Sequence, residues 1–153
     1  MPKELRQQLY IDIHGANFDT QPGEFHEKVI AQLKKLKGIV RMHGAYEQSE
    51  LTHILAAASW VVVPSIWWEN SPMVIQEALN HKKPVIVSDI GGMAEKIQHN
   101  QTGLHFRAGS PVSLANTLQK VLNDPTLSNT LADNITAPLS LSESYIKINK
   151  IIG

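Results

Sequence analysis

Short β-rich runs alternate with helical periodicities along this chain, and that alternation restricts the fold more than any other feature. "LYIDIH" (9 to 14) ends at Gly15, and "ANFDTQPG" behind it is turn chemistry. From Glu24 to Lys37, the residues Phe25, Val29, Ile30, Leu33 and Leu36 recur at helical spacing, and Gly38 closes the segment. "IVRMH" (39 to 43) reads as a second strand stopped by Gly44. "SELTHILAAA" reads as a helix capped by Ser49, with Leu51, Ile54, Leu55 and Ala58 on one face. "WVVVP" (60 to 64) and "KPVIVSD" (83 to 89) are short apolar runs of the kind buried in parallel sheets, and "TGLHF" (102 to 106) is a fifth strand.

The helices between them announce themselves by their starts. Pro72 suits the first turn of a helix with Ser71 as its cap, and Gly91-Gly92 leads into "MAEKIQH". Ser-Pro opens "SPVSLANTLQKVL" and Asp-Pro opens "DPTLSNTLADNI". Residues 142 to 152 predict a last amphipathic helix with Tyr145, Ile148 and Ile152 on one side. Strands separated by helices of this length imply an α/β fold, a Rossmann-like three-layer domain with a parallel sheet covered on both faces. No repeat or linker divides it, so residues 1 to 153 are expected to form a single domain. Ligands of such sheets lie beyond the carboxyl ends of the strands, here His14-Gly15, Gly44 to Glu47, Ser65 to Met73 and Asp89 to Met93.

Composition excludes several functions. The 14 basic and 14 acidic residues cancel, and no basic stripe of the kind that binds nucleic acid is present. There is no cysteine, hence no disulfide or thiolate metal site, which fits a reducing, cytoplasmic setting. No apolar run approaches the roughly 18 residues of a membrane span, although peripheral membrane contact stays open. The seven histidines show no tight ligand spacing and no Asp-x-Asp pair occurs, so no metal or other cofactor is expected.

The segment "SIWWENSPMVIQEAL" (65 to 79) carries the functional signal. A helix beginning at Pro72 leaves the N–H groups of Met73 and Val74 unpaired at the positive end of its dipole, where a diphosphate fits. Glu69 precedes that terminus and Glu77 lies about one turn into the helix. Two such acceptors suit the hydroxyls of a sugar and a ribose, although glutamates at this separation are commonly solvated surface charges. Trp67 and Trp68 have an ordinary alternative role as plugs of the sheet edge.

The stretch from "VVVPS" to "TGLHF" resembles the C-terminal, donor-binding domain of retaining glycosyltransferases with two Rossmann-like domains, the GT-B fold, of the group 1 or family 4 type. The elements that carry the likeness are Pro64-Ser65, Glu69, Glu77-Ala78, Pro84-Val85-Ile86, Gly91-Gly92 and Thr102-Gly103. The resemblance implies a nucleotide-sugar donor, with Glu69 at the donor sugar as the catalytic-site residue and Glu77 on the ribose. It implies main-chain amides around Asn70, Ser71, Met73 and Val74 for the diphosphate, and Tyr46 near the base. Gly15, Gly91 and Gly92 would approach the donor closely. Asn70-Ser71-Pro72 stands where the family commonly has Gly-Phe-Gly. The family's Arg and Lys loop ahead of the first strand has no counterpart, since Lys3 and Arg6 directly precede that strand.

From this the chain is expected to be a fragment, inactive alone, whose partner is the N-terminal, acceptor-binding domain of the same enzyme; a dimer stays open. A non-catalytic binding module with the same fold is the alternative. A nicotinamide enzyme fares poorly, because "HGANFD" replaces Gly-x-Gly-x-x-Gly after the first strand.

Overall fold

A computed structural model of the chain describes residues 1–15, 23–136 and 149. Its elements run α1 (Lys3–Arg6), β1 (Ile11–His14), α2 (Gly23–Lys35), β2 (Val40–Gly44), a 3-10 turn (Gln48–Glu50), α3 (Leu51–Ala57) and β3 (Val61–Val63). Then follow α4 (Met73–Asn80), β4 (Val85–Ser88), α5 (Gly91–Lys96), β5 (Gly103–Phe106), α6 (Pro111–Asn123) and α7 (Leu127–Asp133). All five expected strands are present, and every strand pair is parallel. The α/β, Rossmann-like class therefore holds. The expected helix over residues 142 to 152, and most of the turn after Gly15, lie outside the described residues.

Among the described residues the strands form two ladders rather than one continuous sheet. β1 pairs with β2, with a register shift between Ile13 and His14. β3, β4 and β5 form the other ladder, in register Val61 to Val85 and Val85 to Gly103. β4 is its middle strand, and all four of its residues are buried. Alternation divides them between two faces. Val85 and Val87 pack with Val63, Ile75, Ala78, Leu79, Met93 and Ile97, the apolar faces of α4 and α5. Ile86 packs with Leu104, Phe106, Val121 and Leu131 under α6 and α7. Each fully buried aliphatic side chain such as Ile75 contributes roughly 1.5–3 kcal/mol by removal from water.

Local chemistry fixes the helix ends. Ser110 caps α6, its Oγ accepting the Ser113 N–H at 3.2 Å with Pro111 at the first position, as the Ser-Pro signal predicts. At α7 the Asp124 carboxylate accepts both the N–H and the hydroxyl of Thr126, so the aspartate of Asp-Pro folds the turn while the helix starts at Leu127. Ser49 does not cap α3. It sits inside the 3-10 turn, which is closed by the Glu47 N–H donating to Glu50 Oε2 at 2.7 Å. The four residues of α1 were not foreseen; so short a helix has no apolar period to read, and it rests against α6.

Candidate functional site

The first turn of α4 is the centre of the site. Pro72 is the residue before the helix rather than its first residue, with φ −58° and ψ 123°. Ser71 is not its cap either: the Ser71 hydroxyl accepts a 2.7 Å hydrogen bond from Gln76 Nε2. This moves the start by one residue and leaves the essential feature in place. The Ile75 N–H turns back to the Pro72 carbonyl at 3.1 Å. The N–H groups of Met73 and Val74 precede any intrahelical acceptor, and among the described residues no side chain caps the turn. Both residues are exposed, Met73 at 74 %, so the helix mouth faces solvent.

Two glycines hold the loop in front of that mouth. Gly92 is buried and donates its N–H to the Glu69 carbonyl at 2.7 Å. A Cβ on Gly92 would overlap the Asn70 carbonyl, and one on Gly91 would lie 3.0 Å from the Glu69 carbonyl oxygen. Gly91 also has φ +53°, in the left-handed region. Their close approach is thus to the backbone of Glu69 and Asn70, which fixes where the half-buried Glu69 side chain leaves the chain. The expected turn at these glycines is already the first turn of α5, which includes them both.

Glu77, half-buried on α4, turns toward the segment that follows β2: Gln48 Nε2 lies 3.5 Å from Glu77 Oε1. Tyr46 belongs to the same segment. A Cβ at Gly15 would lie 3.5 Å from the Tyr46 ring, and the His14 ring meets that ring edge-on, centroids 6.1 Å apart. The ends of β1 and β2 therefore bring Gly15 and Tyr46 together, with Glu77 linked to them through Gln48. Glu69, Asn70, Gly91 and Gly92 form a second group.

A polar cluster backs the first of these groups. His14 and His43 are stacked, centroids 4.4 Å apart and 5° from parallel. The His43 Nε2 is 2.7 Å from Asp12 Oδ1, and the Arg41 guanidinium reaches the same carboxylate at 2.8 Å. The hydrogen bond to His43, joined by the hydrogen bond and charge of Arg41, holds the Asp12 carboxyl below its ordinary value, with burial offsetting part of the effect. Sequence reasoning missed Asp12 and Gln48. The signal for Asp12 was present in strand alternation, which puts it on one face with Arg41 and His43; Gln48 had none.

The tryptophans do not plug the sheet edge. Trp67 and Trp68 are 75 % and 74 % exposed and project with Ile66 from the loop before α4. Among the described residues, no group of three or more histidine, aspartate or glutamate side chains is placed to hold a metal ion, and no helix is long and apolar enough to cross a membrane.

The sequence matches the family described as "Glycosyl transferases group 1" over residues 1–137. The chain belongs to that family. Among its curated relatives is the D-inositol 3-phosphate glycosyltransferase of Nocardioides sp., 29 % identical over 138 residues, covering 84 % of this chain and 30 % of the relative. The alpha-D-kanosaminyltransferase of Streptomyces kanamyceticus is 26 % identical over 113 residues, covering 74 % of this chain and 28 % of the relative. The chain thus spans less than a third of the length of either glycosyltransferase. A crystal structure of Anabaena HepE in complex with UDP superposes with a TM-score of 0.77 at 25 % identity, over 97 % of this chain and 42 % of that one. Sucrose-phosphate synthase from Thermosynechococcus elongatus shares the fold at a TM-score of 0.76 and 22 % identity, over 97 % and 40 % of the two chains. The family and the fold agree with the resemblance carried by the motifs from Pro64-Ser65 to Thr102-Gly103.

Proposed function

We propose that this chain is the donor-binding domain of a retaining glycosyltransferase, acting on a nucleotide-diphosphate sugar together with an N-terminal acceptor-binding domain. The observation that carries the reading is the open mouth of α4, with the free amides of Met73 and Val74 between the Glu69 loop and Glu77. A diphosphate there meets bare N–H donors and the positive end of the helix dipole. Ser71 and Asn70 border the same mouth and add polar contacts. Glu77 accepts hydroxyls of the ribose, and the base lies against the Tyr46 and Gly15 segment. Glu69 orients the donor sugar, its loop held by Gly91 and Gly92.

Catalysis then rests on stabilising charge as it develops. The bond from the anomeric carbon to the diphosphate breaks, its electron pair leaves with the phosphate oxygen, and the amides of Met73 and Val74 receive the growing negative charge. The Glu69 carboxylate favours the positive charge on the sugar. The acceptor hydroxyl attacks from the side the diphosphate leaves, which retains the anomeric configuration, and the departing phosphate takes its proton. No step calls for a metal ion. The absence of cysteine suits work in the cytoplasm, where nucleotide-sugars are at hand.

Thermal unfolding in the presence of uridine, guanosine and adenosine diphosphates at millimolar concentration tests this reading. At least one is expected to raise the midpoint, and Glu77→Ala should abolish the rise. No rise with any of the three contradicts it. Sugar transfer after joining to an acceptor domain, lost in Glu69→Ala, separates an enzyme from a passive binding module.

A further inference from the structure

We infer that the Ser71 hydroxyl is a further hydrogen-bond donor to the diphosphate, and that Gln76 is the positioning residue that turns it toward the ligand. The inference rests on the donor reading above and adds two side-chain roles to it. Gln76 Nε2 donates to Ser71 Oγ at 2.7 Å, and among the described residues the hydroxyl has no other partner. A serine hydroxyl accepts through its lone pairs and donates through its one hydrogen. Gln76 occupies the accepting side, so the hydrogen of this exposed residue remains to be given. A phosphate oxygen has lone pairs and no hydrogen. It therefore takes the Ser71 hydrogen and favours the orientation in which the carboxamide offers Nε2, not Oε1, to the serine. The accepted bond also polarises the hydroxyl and makes it a stronger donor.

The place of the pair on α4 explains why a polar contact is used. Pro72 is the N-cap and Met73 the first helical residue, so Ser71 directly precedes the cap and Gln76 is the fourth residue of the helix. Those two positions ordinarily carry an apolar pair that fixes how the chain enters a helix. Here a hydrogen bond stands in for the apolar contact. Gln76, half-buried, lies one turn along from Met73 on the same stripe, and helical side chains lean toward the helix start. Its carboxamide thus holds the Ser71 hydroxyl beside the turn that carries the Met73 N–H. Pro72, between Ser71 and Met73, has no N–H to give, and the hydroxyl supplies a donor where the backbone lacks one. The bond has a second consequence. A serine near a helix start commonly caps it by accepting a backbone N–H. Gln76 diverts the Ser71 oxygen from that service, which leaves the amides of Met73 and Val74 open to an anion.

The test is a set of dissociation constants for the whole chain with whichever of UDP, guanosine diphosphate and adenosine diphosphate the wild type binds. Ser71→Thr and Ser71→Val introduce side chains of equal shape that differ in the hydroxyl alone. Ser71→Thr should stay within about twofold of wild type, and Ser71→Val should bind about tenfold more weakly, the loss of one hydrogen bond to a charged group. Gln76→Leu should weaken binding about threefold in the wild-type chain. In the Ser71→Val chain the same change completes an apolar pair and should leave affinity unaltered, because Gln76 acts through the hydroxyl. Urea midpoints of the unliganded variants are read alongside. Equal affinities of Ser71→Thr and Ser71→Val overturn the inference. So does a Gln76→Leu effect that is absent from the wild-type chain, or equal in both backgrounds, and so does an affinity loss that only follows a loss of stability. In each of these cases the wild type still binds, so the donor reading survives. A wild type that binds none of the three diphosphates ends both.

Discussion

Replacing Gly92 with alanine is the most informative single change. The new methyl group has no space, since it would overlap the Asn70 carbonyl and crowd that of Glu69. Gly92 is buried, so the strain falls on the Glu69–Asn70 loop itself. Forcing an extra carbon into a packed site costs about 1–3 kcal/mol. Displacing the loop also breaks the 2.7 Å bond from the Gly92 N–H to the Glu69 carbonyl, worth about 1 kcal/mol. Together these give about 2–4 kcal/mol, which with a urea m-value of about 2 kcal/mol/M lowers the midpoint by about 1–2 M. Gly103→Ala is the control: its Cβ would meet the Val85 carbonyl and Ile97, away from the site. Both variants should lose comparable stability in urea titrations. Only Gly92→Ala should weaken a nucleotide-sugar more than the matching nucleoside diphosphate, because it moves Glu69. A Gly92→Ala protein with unchanged midpoint and unchanged discrimination would refute the reasoning.

Other perturbations follow from single contacts. Ser88 Oγ is buried with no hydrogen-bond partner among the described residues, so Ser88→Ala should raise stability by about 1 kcal/mol in urea titration. Ser110→Ala removes the cap of α6 and should cost about 1 kcal/mol while leaving nucleotide binding unchanged. His99 Nδ1 accepts the His105 N–H at 2.8 Å, and burial, then the His105 and Lys120 charges, lower its pKa in the fold. Its contribution is therefore complete above the unfolded value of about 6.5 and is lost as pH falls through the lower folded one. The urea midpoint should drop between pH 7.5 and pH 5.5, and less so in His99→Ala. Asp12, held low by His43 and Arg41, follows the same sign at more acid pH: its contribution is present above about 3.9 and fades below it, a decline that Asp12→Asn should flatten.

Much of the architecture was legible because local and global signals agree. The runs at 60 to 64, 83 to 89 and 102 to 106 became β3, β4 and β5, since short apolar segments bounded by Gly, Pro and Asp have few other options. The division of the described strands into two ladders was not legible, because strand pairing leaves little mark on the sequence of β1 or β3. At the site, the open amides of Met73 and Val74 followed from the proline beside them. The work of Gly91 and Gly92 did not, since the Glu69–Asn70 backbone they accommodate is contributed by a distant loop. The tryptophans misled for a related reason. Aromatic residues at a strand end usually find cover, and only the three-dimensional arrangement shows Trp67 and Trp68 in solvent.

The most direct measurement is a nitrogen-15 NMR titration of the whole chain with UDP, followed at the backbone amides of Met73 and Val74. Anion capture by the α4 mouth predicts that these two shift most, in a saturable way, with smaller changes at Tyr46 and Gly15. Saturable binding that leaves both amides unmoved, or no binding at millimolar UDP, guanosine diphosphate or adenosine diphosphate, would contradict the account.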